Sequence, residues 1–79
     1  MASGLTAAQR KSAALTGIAV AEAEARRRYQ IAVGAREEAE HAEDTERTEA
    51  WRETEAEREQ ELTDLIWRRM GIECGAIKV

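Results

Sequence analysis

The chain contains no proline, and Gly34 is its only glycine between residues 18 and 70. The two residues that most often interrupt a helix are therefore almost missing from its centre. Ala, Glu and Arg dominate, the composition of long helices and coiled coils. The sequence thus predicts an all-α protein: a long amphipathic helix or a helical hairpin, coiled-coil-like, with a short extended C-terminal arm.

At 79 residues the chain makes one domain at most, and a domain this small buries a modest share of its surface. Help from a partner or from a second copy is expected. Cys74 is the single cysteine, so no internal disulfide forms and a disulfide-stapled secreted domain is excluded. The longest weakly polar run, residues 13–21, is far short of the roughly 20 residues that span a bilayer, and no signal-peptide pattern is present. A cytoplasmic protein with no membrane partner is the expectation.

Charge is distributed unevenly. Residues 1–35 carry +3, residues 36–61 carry twelve acids against four arginines for −8, and the last 18 residues carry +1. Thr6 followed by Gln9 predicts a capping box that starts the first helix. Leu15, Ile18, Ala21, Ala25 and Tyr29 then recur every three or four residues on one stripe. Ala13, Gly17, Ala21 and Ala25 form a row of small residues suited to close packing against another helix. Gly34 is the one plausible break, either a hairpin turn or a bend.

Residues 36–61 have little to bury, so helicity there rests on propensity and on pairs such as Glu43 with Arg47, Glu49 with Arg52 and Glu55 with Arg58; disorder is the alternative. Trp51 interrupts this charge. In a helix it shares a stripe with Arg58, Leu62 and Leu65, so that side of the rod is expected to meet something. Leu62, Leu65, Ile66, Trp67 and Met70 cover more than half of the helix circumference, and Gly71 is the expected cap. Five segments result: 1–5 as a flexible N-terminus, 6–33 as a first helix, 34–61 as an acidic rod, 62–71 as an apolar helix end and 72–79 as an extended arm.

Candidate partner-binding residues are Leu15, Ile18, Ala21, Ala25, Tyr29, Trp51, Leu62, Leu65, Ile66, Trp67, Met70, Ile72 and Ile77. Glu49, Glu53, Glu55 and Glu57 form a candidate acidic face. Glu38 and His41 make Glu-x-x-His, which resembles the ligand pair of ferritin-like di-iron proteins; one such pair is present where those proteins carry two, and no cofactor or metal is assigned. Arg26, Arg27, Arg28 and Tyr29 form a basic patch that reads as a solvated face pairing with acids, which argues against direct nucleic-acid binding. No phosphate loop, nucleophile triad or cysteine pair occurs, so a non-enzymatic protein is expected. The leading reading is a helical interaction protein that docks through apolar ends on copies of itself or on a larger assembly, in a structural or adaptor role. The alternative is a small acidic inhibitor that imitates nucleic acid and blocks a basic groove, as phage-type or antitoxin-type proteins can.

Overall fold

A computed structural model describes residues 4–79; the expected flexible segment 1–5 lies partly outside them. Two helices, α1 (Ala7–His41) and α2 (Thr45–Glu73), fold into an antiparallel hairpin 61 Å long and 21 × 15 Å in section. Thr6 caps α1 as expected. Its hydroxyl accepts from the Gln9 amide at 3.1 Å while the Gln9 side chain accepts from the Thr6 amide at 2.9 Å.

Gly34 neither turns nor bends the chain into two elements. It sits inside α1 with open space around it, and the glycine cost of about 1 kcal/mol is absorbed by a helix of this length. The first helix therefore runs eight residues beyond its expected end at residue 33. The turn falls instead on Ala42, Glu43 and Asp44. Glu43 takes a left-handed φ of 56°; its amide donates to the Glu40 carbonyl and the Asp44 amide to that of Ala39, both at 3.0 Å. This is the double bond pattern that closes helices in a left-handed residue. Asp44 then opens α2, its carboxylate accepting from the Arg47 amide at 3.1 Å. One residue finishes one helix and starts the next.

Along α1 one row of shielded residues runs Lys11, Leu15, Ile18, Glu22, Ala25, Tyr29, Ala32, Arg36 and Ala39, spaced alternately four and three apart, with Ala14, Ala21, Glu24, Val33 and Ala35 half-buried beside it. On α2 the row is Thr48, Trp51, Glu55, Arg58, Leu62, Leu65, Arg69 and Ile72 with the same alternation, and Thr54, Thr63, Ile66 and Gly71 are half-buried beside it. That spacing is the seam of a coiled coil. Its fully buried apolar members are only Ala25, Ala32, Ala39 and Ile72. Alanines let the helices approach closely but contribute little burial; Ile72 contributes about 1.5–3 kcal/mol.

The C-terminal end differs from expectation. Gly71 is helical, α2 runs on to Glu73, and Gly75 at φ 84° is the left-handed residue that stops it. Residues 74–79 do not form the expected extended arm. The Ile77 amide donates to the Gly71 carbonyl at 3.0 Å, and the Ile77 side chain lies over Gly71, where an added Cβ would come within 2.6 Å of it. Any larger residue at position 71 would force the Ile77 side chain to shift. Lys11 of α1 donates to the Glu73 carbonyl at 2.9 Å, placing a cation at the negative end of α2.

Glu43→Gly removes the left-handed strain at the turn and should raise the unfolding free energy by about 1 kcal/mol. Gly34→Ala, inside an exposed helical stretch, should raise it by about 0.5–1 kcal/mol. Urea titration followed by circular dichroism measures both, and a loss of stability in Gly34→Ala would mean that the chain does bend there.

Candidate partner-docking surfaces

Among the described residues three ion pairs join the helices, and two of them lie within the seam itself. Arg69 donates from Nε to Glu22 at 2.6 Å, and Arg36 donates from Nε to Glu55 at 2.7 Å. On each helix the charged members are fourteen residues apart, and the sign is reversed between the pairs: α1 supplies acid then base, α2 base then acid as the levels are followed. All four side chains are largely shielded, with exposures of 11 % for Glu22, 35 % for Arg69, 22 % for Arg36 and 18 % for Glu55. No buried side-chain nitrogen or oxygen among the described residues lacks a partner.

Such pairs set register more than they add stability, because desolvation offsets the attraction. A slip of one heptad would put Glu22 opposite Leu62 or Ala76, and Arg36 opposite Thr48 or Leu62. Each charge would then be shielded without its partner. The hairpin is therefore fixed at one alignment by residues with no apolar surface to offer.

Arg36 also donates to Glu40 at 2.9 Å, and Arg52 donates to the same oxygen at 3.2 Å. The network Glu55, Arg36, Glu40, Arg52 alternates in sign and joins both helices near the turn. The expected pairs within the acidic segment do not form: Glu43 lies outside the helix, Glu55 is held by Arg36, and Arg58 pairs with Glu61 at 2.8 Å. Hydrogen bonds from Arg36 and then Arg52 hold the Glu40 carboxyl below the usual glutamate range. Arg36 is raised by its hydrogen bonds to Glu55 and then Glu40, and Arg69 by those to Glu22 and then Glu73, so both stay charged.

Of these seam charges only Glu55 is a site residue expected from the sequence, and that as part of an acidic face. The sequence does hold their signature, equal fourteen-residue spacings with reversed sign. Of the candidate partner-binding residues, Leu15, Ile18, Ala21, Ala25, Tyr29, Trp51, Leu62, Leu65, Ile66 and Ile72 are buried or half-buried at or beside the seam. What the Trp51 stripe meets is the chain's own first helix. Trp67, Met70 and Ile77 are left facing solvent, at 66 %, 47 % and 39 % exposure. Met70 and Gly71 are the helical neighbours of Trp67 at i+3 and i+4, and Ile77 covers Gly71, so the three make one patch.

Of the candidate acidic face, Glu55 is withdrawn into the seam. Glu49, Glu53 and Glu57 remain exposed, and Glu46 joins them at helical spacing. None of these four makes an ion pair among the described residues. Arg27 and Arg28 of the basic patch pair with Glu24 on their own helix at 3.2 and 3.7 Å. Glu38 and His41 are exposed, and among the described residues no group of three or more His, Cys, Asp or Glu side chains is placed to hold a metal ion. No described helix is long and apolar enough to cross a membrane. No protein-family model matches the chain, and no curated protein or solved structure is detectably similar to it.

Glu22→Arg and Arg69→Glu should each lower the melting temperature, and the double exchange should recover most of the loss; equal losses in single and double variants would mean that the pair does not set the alignment. The folded pKa of Glu40 is below its unfolded value, so its contribution is present at neutral pH and disappears as pH falls through the folded value. Glu40→Gln should therefore melt below the parent at pH 7, with the gap closing as the pH is taken below the usual glutamate range.

Proposed function

We propose that this chain is a non-enzymatic helical interaction protein, a preformed hairpin that docks by an apolar patch on copies of itself or on a larger protein assembly. The observation that carries this reading is the outward face of Trp67. A tryptophan two-thirds exposed beside Met70 and Ile77, in a hairpin whose own seam buries so little, is surface held ready for contact. Tryptophan is also the residue most often found at the energetic centre of interfaces.

The structural or adaptor role fits the shape. A rod with register fixed by charges separates its two ends by a set distance, and its sides carry different chemistry at each level. A second reading, an acidic inhibitor that imitates nucleic acid, is supported by one observation. Glu46, Glu49, Glu53 and Glu57 project from the outer side of α2 as an unpaired row over about 16 Å. Such a row steers basic partners through long-range attraction.

Light scattering with circular dichroism distinguishes the two. Apolar docking predicts a helical oligomer that persists in 0.5 M salt, where the Debye length is only a few ångströms, and that becomes monomeric but stays helical in Trp67→Ser. A folded monomer with no saturable protein partner overturns the leading reading. Binding to basic proteins that 0.5 M salt abolishes, lost on reversing Glu53 and Glu57 but kept in Trp67→Ser, would favour the second.

A further inference from the structure

The Trp67 patch has a position as well as a composition. Since Arg69 pairs with Glu22, Trp67 lies level with about residue 24 of α1, the midpoint of Ala7–His41. The patch is thus halfway along the rod. On the turn side of it the two helices carry the excess of acid: residues 25–66 hold thirteen acids and seven arginines, −6. On the other side the remaining residues hold five basic groups against three acids, +2.

The same order appears on the surface beside the patch. Toward the turn, the unpaired row Glu46, Glu49, Glu53 and Glu57 leads away along the outer side of α2. Toward the open end, Arg68 follows Trp67, Lys78 follows Ile77, and Arg10 stands on the stretch of α1 that runs about 15 Å past the end of α2; all three are exposed and none makes an ion pair among the described residues. Acid, apolar and basic surfaces follow one another along one rod, with the apolar one at its centre.

We propose that the occupant of this face is a second copy of the chain, laid antiparallel on a two-fold axis through the Trp67 and Met70 patches. This inference rests on the interaction reading above and names its partner. A two-fold contact brings the same surface of both copies together. Centred on Trp67, it joins apolar to apolar at the axis and lays the acidic turn half of each hairpin along the basic open half of the other. The parallel arrangement would instead set two halves of −6 side by side, where like charges are costly. One long side of a 61 × 15 Å rod also offers the roughly 800 Å² per partner that a standard stable interface covers.

The experiment is a spin-label distance measurement on the full chain carrying Cys74→Ser and Ala42→Cys, with association followed in parallel by sedimentation. Residue 42 is 18 positions from the level of the axis, so the antiparallel dimer puts the two turn labels about 55 Å apart. A parallel dimer puts them within roughly two helix diameters, about 20 Å. The expected result is the long distance, with at least tenfold weaker dimerisation in Trp67→Ser and several-fold weaker dimerisation at 0.5 M salt than at low salt. Glu53→Lys with Glu57→Lys, both on the solvated side of α2, should weaken dimerisation while leaving helicity intact. A short distance overturns the antiparallel pairing and leaves the interaction reading standing. A folded chain that stays monomeric overturns pairing with a second copy; the interaction reading falls with it only if that monomer also binds no other protein.

Discussion

Everything in this hairpin depends on two hydrogen-bonded charge pairs, Glu22 with Arg69 and Arg36 with Glu55, placed where a coiled coil ordinarily keeps leucine or valine. With alanine at Ala25, Ala32 and Ala39 the seam is smooth, and smooth apolar seams slide. The charges remove that freedom. A shifted alignment would leave carboxylates and guanidiniums shielded without partners, a penalty of several kcal/mol for an isolated buried charge in general. The correct alignment gains little beyond satisfying them. Selection among alignments and stability of the chosen one are separate properties, and this chain invests in the first.

That choice decides what the outer surface is for. Because the large apolar side chains are few, the seam shields only about as many of them as remain exposed, and Ile72 is the one large apolar side chain among the described residues that it buries. Trp67 and Met70 are then conspicuous, for they would have strengthened the seam had they stood one or two positions away. Their outward placement, together with an Ile77 that folds back to lie over Gly71, concentrates apolar surface at the level where the charge of the rod changes sign. Register, patch and charge boundary are consequently tied to one another: a change in the helix alignment would move the patch off the midpoint.

The sequence disclosed the helices, the capping box at Thr6 and Gln9, and the common stripe of Trp51, Leu62 and Leu65, since each depends on neighbours within a few turns. Glycine is a poor guide to punctuation in this chain. Gly34 is only a tolerated helical residue, Gly71 makes space for Ile77, and the turn is made by Glu43, whose left-handed backbone no residue type announces. The seam charges escaped for a related reason. Rules for single helices assign Glu55 to Arg58, whereas a helix packed at close range brings Arg36 nearer. Only the matching fourteen-residue intervals on the two helices, compared with each other, reveal the cross-pairing.

The turn of three residues has one more effect, which appears when the two seams are numbered continuously. The α1 seam passes through Arg36 and Ala39 and, carried forward without a turn, would fall on Glu43, Glu46, Ala50, Glu53, Glu57 and Gln60. The α2 seam instead uses Thr48, Trp51, Glu55 and Arg58, five residues out of phase. Were the turn to straighten into a single rod, the contact stripe of α1 would continue into the acidic row, while the stripe of α2 would face nearly the opposite way. Two straightened chains could not exchange helices and keep both halves in contact. The break in phase closes the route by which short-looped hairpins trade arms and grow into larger tangles, and it does so with glutamates that in the folded hairpin simply face water.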